Sequence, residues 1–152
     1  MQADIITIGD EILIGQTLDT NSKWIANQLE RAGIKVFQIT SVSDEKEHIL
    51  STLNSSLKSS DLIIITGGLG PTNDDVTKHA LCEFFQDKLV LNSEVLNDIK
   101  NLFTKHGRRM NFYNEQQAMV PSKCQLIRNS KGTAPGICFK KNGKIVVSLP
   151  GV

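Results

Sequence analysis

Three short stretches of this 152-residue chain have the residue types and spacing to act on a phosphorylated ligand. The first is Gly67-Gly68-Leu69-Gly70-Pro71-Thr72, set between the apolar run Leu62–Ile65 and the acids Asp74 and Asp75. A glycine loop between a strand and a helix start points several N–H groups and the positive helix end one way, which favours an anion. The two carboxylates repel a phosphate unless a cation lies between them. The second stretch is Gly9-Asp10-Glu11 and the third Ser43-Asp44, each just after an apolar run. Carboxylates beside a phosphate-sized loop suit an octahedral ion of the Mg²⁺ type bridging phosphate oxygens. Each element also has a plainer role. The glycines serve any tight turn, and acids in a first helical turn are worth ~0.3–1 kcal/mol whatever the function. Asp44 suits an N-cap, while Asp10 and Glu11 suit a solvated loop. Their convergence, rather than any one of them, carries the inference.

That convergence needs a parallel sheet, whose ligands lie beyond the carboxyl ends of its strands. Ile5–Ile8 reads as a first strand stopping at Gly9. Asp19-Thr20-Asn21 offers N-cap chemistry to a helix with Ile25, Leu29 and Ala32 on one face, closed at Gly33, with Trp24 packed at its edge. Ile34–Val42 alternates, less cleanly at Phe37 and Ile39, as a second strand. Asp44 and Glu47 resemble a capping box before a helix carrying Ile49, Leu53 and Leu57. Leu62–Ile65 is the third strand, and a helix with Val76, Ala80, Leu81, Phe84 and Phe85 follows the glycine loop. Leu89–Leu91 is a short strand or extended connection, and Ser93 caps a helix running to Gly107. A loop or short helix is expected around Glu115–Met119, then a strand at Gln125–Ile127. Ile137–Lys140 and Ile145–Leu149 flank Asn142-Gly143, a hairpin signal. Alternating strands and helices predict one α/β domain over 1–152, a three-layer α/β/α with a mixed, mostly parallel sheet. The sequence stops at Pro150-Gly151-Val152 directly after a strand, so the expectation is one domain of a longer protein.

Other function classes are excluded. The loop lacks the Gly-Lys-Ser/Thr of a P-loop, and Asn73 occupies the third glycine position of the dinucleotide fingerprint. No Ser–His–Asp or Cys–His arrangement is readable, and His48, His79 and His106 are scattered helix residues assigned to no metal. With 17 basic and 16 acidic residues the net charge is +1, and no basic stripe calls for nucleic acid. No apolar run approaches the ~18 residues of a membrane span. Cys82, Cys124 and Cys138 lack metal-like spacing and read as reduced thiols of a cytoplasmic protein.

Several of these motifs resemble one family in order and from end to end. They are Gly9–Gly15 (GDEILIG), Asp19-Thr20-Asn21, Thr66–Thr77 (TGGLGPTNDDVT), Asn114–Ala118 (NEQQA), Asn129–Gly136 (NSKGTAPG) and Leu149–Val152 (LPGV). Together they are similar to the amino-terminal domain of the competence/damage-inducible protein CinA, within the molybdopterin-binding superfamily. Asn73 stands where CinA proteins often have histidine. The resemblance implies a molybdopterin-binding-like fold, a dimer, and hydrolysis of the diphosphate of ADP-ribose or a related nucleotide with a divalent cation (Mg, Mn or Co). It implies Asp75 and Asp44, with Asp10 or Glu11, as metal and catalytic carboxylates. Gly67, Gly68, Gly70 and Thr72 would cradle phosphate, and Asn129, Gly132 and Thr133 would meet the nucleotide. Two alternatives are a molybdopterin-binding protein of molybdenum cofactor biosynthesis and a non-catalytic nucleotide-binding domain.

Overall fold

The structure, a computed structural model, describes residues 1–69, 76–105, 107 and 109–151, without the side chains of Phe112 and Tyr113. Four parallel strands form its centre: β1 (Gln2–Ile8), β2 (Lys35–Val42), β3 (Leu62–Thr66) and β8 (Lys144–Leu149). β7 (Gly136–Lys141) and β6 (Gln125–Ile127) extend the sheet antiparallel, giving the order β2-β1-β3-β8-β7-β6. β1 is buried from Ala3 to Ile8, as a central parallel strand covered on both faces must be.

Helices close the two faces. α3 (Lys46–Ser59) and α4 (Val76–Phe85) bury Ile49, Leu53, Ala80 and Leu81 against Ile6, Ile63, Ile65 and Val146. On the other face α2 (Thr20–Arg31) buries Ile25 and Leu29 against Ala3, Ile5 and Leu62. Each such aliphatic side chain removed from water contributes about 1.5–3 kcal/mol, so the α/β/α layering follows from the two-sided apolar strands. α5 (Ser93–Lys105) adds a smaller cluster in which Val95 and Ile99 meet Ala118, two residues past α6 (Phe112–Gln116). β4 (Leu89–Leu91) pairs with β5 (Met119–Pro121) in a separate two-stranded sheet. The β7–β8 hairpin turns at Asn142 and Gly143 with φ of 52° and 75°, the left-handed pair a type I′ turn requires.

Local readings are corrected at five places. Trp24 is 64% exposed and Ala32 is exposed, because α2 turns Ser22, Ile25, Ala26 and Leu29 inward to the sheet instead. Asp44 does not cap α3. The cap is Glu45, which makes no side-chain bond, while the Asp44 carboxylate turns to Asp10. Asn92, not Ser93, caps α5 by accepting from the Val95 N–H at 3.0 Å. The expected helix at 115–119 lies at 112–116, and Met119 starts β5. The blurred alternation of β2 is a bulge. Ala3 pairs with Val36 but Asp4 with Gln38, so Phe37 is the extra residue. That shift puts Val36 on the α2 face and Val42 on the α3 face.

Candidate functional site at the carboxyl rim of the sheet

The parallel strands end on one rim, at Ile8, Val42, Thr66 and Leu149. Because β7 runs antiparallel to β8, its start at Gly136 and the end of β6 at Ile127 reach the same rim. A cavity of about 260 Å³ opens there between β1, β3 and the start of α2. Its polar lining comes from Thr7, Glu11, Thr17, Asp19, Asn21 and Thr66, with the backbone of Gly67 and Gly151.

Side-chain bonds between distant segments hold this wall. The Thr7 hydroxyl, 2% exposed on β1, donates to Asp19 Oδ2 at 2.7 Å. Asp19 Oδ1 accepts the Ser22 N–H at 2.9 Å as the N-cap of α2. Burial pushes the Asp19 carboxyl up, but the bonds from Ser22, Thr7 and Asn21 outweigh it and hold it below the usual 3.8. Asn21 Nδ2 donates to the Gly151 carbonyl, tying the α2 start to the segment after β8.

The glycine loop is set by close approach. Gly67 has a φ of 100°, and a Cβ there would lie 2.2 Å from the Ile8 carbonyl oxygen. Gly68 has a φ of 65°, and its Cβ would lie 2.0 Å from Thr77 Oγ1. Only glycine fits either place. Thr77 Oγ1 is buried beside Gly68 and has no hydrogen-bond partner among the described residues.

Asp10 and Asp44 come together. The Asp10 N–H donates to Asp44 Oδ2 at 3.3 Å, and the Asp44 N–H to Asp10 Oδ1 at 3.4 Å. Asp10 opens the short helix α1 (Asp10–Leu13), whose preceding Gly9 N–H donates to the Val42 carbonyl at 3.1 Å. Glu11 folds its carboxylate back over Gly9, with Oε1 2.5 Å from where a Cβ would stand. Two hard-oxygen carboxylates on adjoining strand ends match the donor type of a hydrated divalent ion, which needs only one or two carboxylates beside phosphate. Among the described residues no three His, Cys, Asp or Glu side chains gather for a metal.

The expected residues therefore fall into three sets. Asp10, Asp44, Glu11, Gly67 and Gly68 lie at the rim. Gly70, Thr72, Asp74 and Asp75 lie outside the described residues. Asn129, Gly132 and Thr133 stand in the β6–β7 loop and do not line the rim cavity. Asn129 instead borders a cavity of about 290 Å³ with Asn101, Lys105 and the Arg128–Asp98 ion pair. Sequence reasoning missed Thr7, and it took Asp19 only as a helix cap. A threonine inside an otherwise apolar strand end was the available signal.

Comparison with known proteins bears on this geometry. Residues 4–152 match a family model described as a probable molybdopterin binding domain. A CinA-like protein of Cytophaga hutchinsonii is 53% identical over 150 residues, 99% of this chain and 36% of that protein. The chain spans just over a third of the length of the curated relatives it matches. Among solved structures, a CinA protein of unknown function from Thermoplasma acidophilum superposes with a TM-score of 0.87 at 36% identity, covering 99% of this chain and 88% of that one. A molybdopterin biosynthesis protein from Mycobacterium abscessus superposes with a TM-score of 0.64 at 20% identity, covering 99% and 81%, a likeness of fold alone.

Proposed function

The chain belongs to the molybdopterin-binding domain family, in its CinA-like branch, and from that premise we propose that its carboxyl rim binds a small phosphorylated heterocycle of the pterin or nucleotide kind. The observation that carries this reading is the rim cavity, where the hydrogen-bonding side chains of Thr7, Thr17, Asn21 and Thr66, the carboxylates of Glu11 and Asp19 and the Gly67 backbone meet at the carboxyl ends of β1 and β3. Gly67 and Gly68 keep the backbone bare for a phosphate. Asn21, fixed on Gly151, orients the wall facing the ligand. Among the described residues no helix is long and apolar enough to cross a membrane. A dimer in the cytoplasm is the expected setting. The three free cysteines accord with it, and burial pushes the Cys82 and Cys124 thiols up to about 11.

The test is a binding titration with a pterin phosphate and with ADP-ribose, each against Asp19→Ala. Saturable binding of at least one ligand, weakened about tenfold in the variant because the Thr7 and Ser22 bonds that hold the cavity wall are lost, supports the reading. No binding of either ligand sinks it.

A second reading, hydrolysis of the ADP-ribose diphosphate, is favoured by the Asp10–Asp44 pair. These carboxylates and Glu11, with Asp75 as the family motif implies, are the residues that would hold a divalent ion. The chemistry such an ion supplies when bound is neutralisation of the diphosphate and a water of lowered pKa. Binding of ADP-ribose without turnover under Mg²⁺, Mn²⁺ and Co²⁺ would remove this second reading and leave the first, a non-catalytic binding domain.

A further inference from the structure

A cavity of about 590 Å³ lies away from the rim, between the later half of α3, the end of α4 and the β7–β8 hairpin. β7 and β8 meet at Lys141 and Lys144 at this end and at Ile137 and Ser148 at the other, so the whole sheet separates the two cavities. Its volume is within the roughly 300–1,000 Å³ of small-molecule sites.

We propose that this cleft binds a small planar aromatic monoanion, such as an aryl carboxylate. The floor is apolar, made by Leu57, Phe84, Phe85 and Val146. Its rings are already fixed. Phe85 stacks on Phe139 at 4.2 Å and 9°, and Phe84 meets Phe85 edge-on at 5.1 Å and 73°. A further ring adds to such a pair in offset or edge geometry without ordering new side chains.

The mouth selects charge. Among the described residues no acidic side chain lines the cleft, whereas Lys141 and Lys144 do. Lys144 is committed: its Nζ donates to the Ser60 carbonyl at 2.9 Å and pairs with Asp61 at 3.5 Å. The Lys141 ammonium and the Asn54 side-chain amide at the mouth make no hydrogen bond or ion pair among the described residues. One uncommitted cation with an amide beside it matches a single carboxylate, and the aromatic floor excludes a bare inorganic anion. The cleft is independent of the reading given to the rim.

The experiment follows amide NMR shifts of the chain during titration with 2-naphthoate, and in parallel with neutral 2-naphthalenemethanol and cationic 2-naphthylmethylammonium. Saturable shifts are expected at residues 54–57, 84–85 and 141–146, with the neutral and cationic probes about tenfold weaker, the size of one charge-assisted hydrogen bond. Lys141→Glu should weaken naphthoate by about the same factor and favour the cationic probe. Asn54→Trp should fill the cleft and abolish binding. Both replaced residues are exposed, so unchanged thermal melts confirm folded variants. Equal affinity for the three probes, shifts outside the cleft, binding that survives Asn54→Trp, or a cleft closed by self-association overturns the proposal.

Discussion

Two polar segments reach the same rim of the sheet with similar residues and use them differently. In the first, Asp19 and Asn21 bond across the fold, to Thr7 twelve residues away and to Gly151 one hundred and thirty away. In the second, Asn129 bonds only within its own loop among the described residues. Its Oδ1 accepts from the Lys131 and Gly132 N–H groups at 2.9 and 3.1 Å, and its Nδ2 donates to the Ala134 carbonyl at 3.0 Å. The first segment welds β1, α2 and the stretch after β8 into one wall, and the rim cavity lies against that wall. The second shapes a loop. Equivalent side chains thus mark a site where their partners are distant and a turn where their partners are local.

The most severe way to break the wall is at its backbone. Gly67→Ala places a methyl group 2.2 Å from the Ile8 carbonyl oxygen in a left-handed conformation. We expect a loss of about 4 kcal/mol or more in chemical denaturation, or no folded protein, since strain and overlap add. A loss under about 1 kcal/mol would mean that the loop relaxes freely and that the close approach is not structural.

Asp19→Ala is next. It removes the α2 cap, worth about 1 kcal/mol, and orphans the buried Thr7 hydroxyl, worth about 1–3 kcal/mol. The combined loss should reach about 2–3 kcal/mol, with a Thr7→Val, Asp19→Ala double variant recovering part of it because the orphaned group is gone. Strict additivity of the two substitutions would show that the Thr7–Asp19 bond contributes nothing.

A smaller effect follows from acid. The folded Asp19 carboxyl lies below its usual 3.8, so the folded state favours the charged form. Its contribution is fully present above that ordinary value and fades as pH falls through the lower folded value. The stability gap between the parent chain and Asp19→Asn should therefore be constant near neutrality and narrow below about pH 4. A gap that stays constant down to about pH 2 would place the bond's strength in shape rather than charge.

The sequence was legible wherever the cause was local or periodic. The β-branched runs of β1 and β3, the four-residue spacing in α3 and the Asn142-Gly143 turn marked these elements and the mixed, mostly parallel sheet, not the order of its strands. The Asp10–Asp44 meeting was also legible, because parallel pairing of β1 with β2 leaves their following residues side by side. What stayed hidden depended on tertiary choice. β5 is three residues long, carries no alternation and ends in Pro121, so nothing distinguished it from a loop before Leu89–Leu91 paired with it. The β2 bulge showed only as blurred alternation at Phe37 and Ile39, because its place is set by the register against β1. Asp19 looked like a cap and is one, but its second oxygen belongs to a strand that only folding brings near.

The mildest substitution sharpens the contrast most. Asn129→Ala deletes three bonds that all close within five residues, so about 1 kcal/mol or less should be lost and the exposed loop should loosen. Pterin-phosphate or ADP-ribose affinity at the rim should stay within about twofold of the parent, because nothing bonded to Asn129 touches the cavity wall. The same titration that reads Asp19→Ala reads this variant. A tenfold loss would carry the β6–β7 loop, with Gly132 and Thr133, into the ligand site as the CinA-like motif there implies. Distant and local bonding would then no longer separate site from turn on this rim.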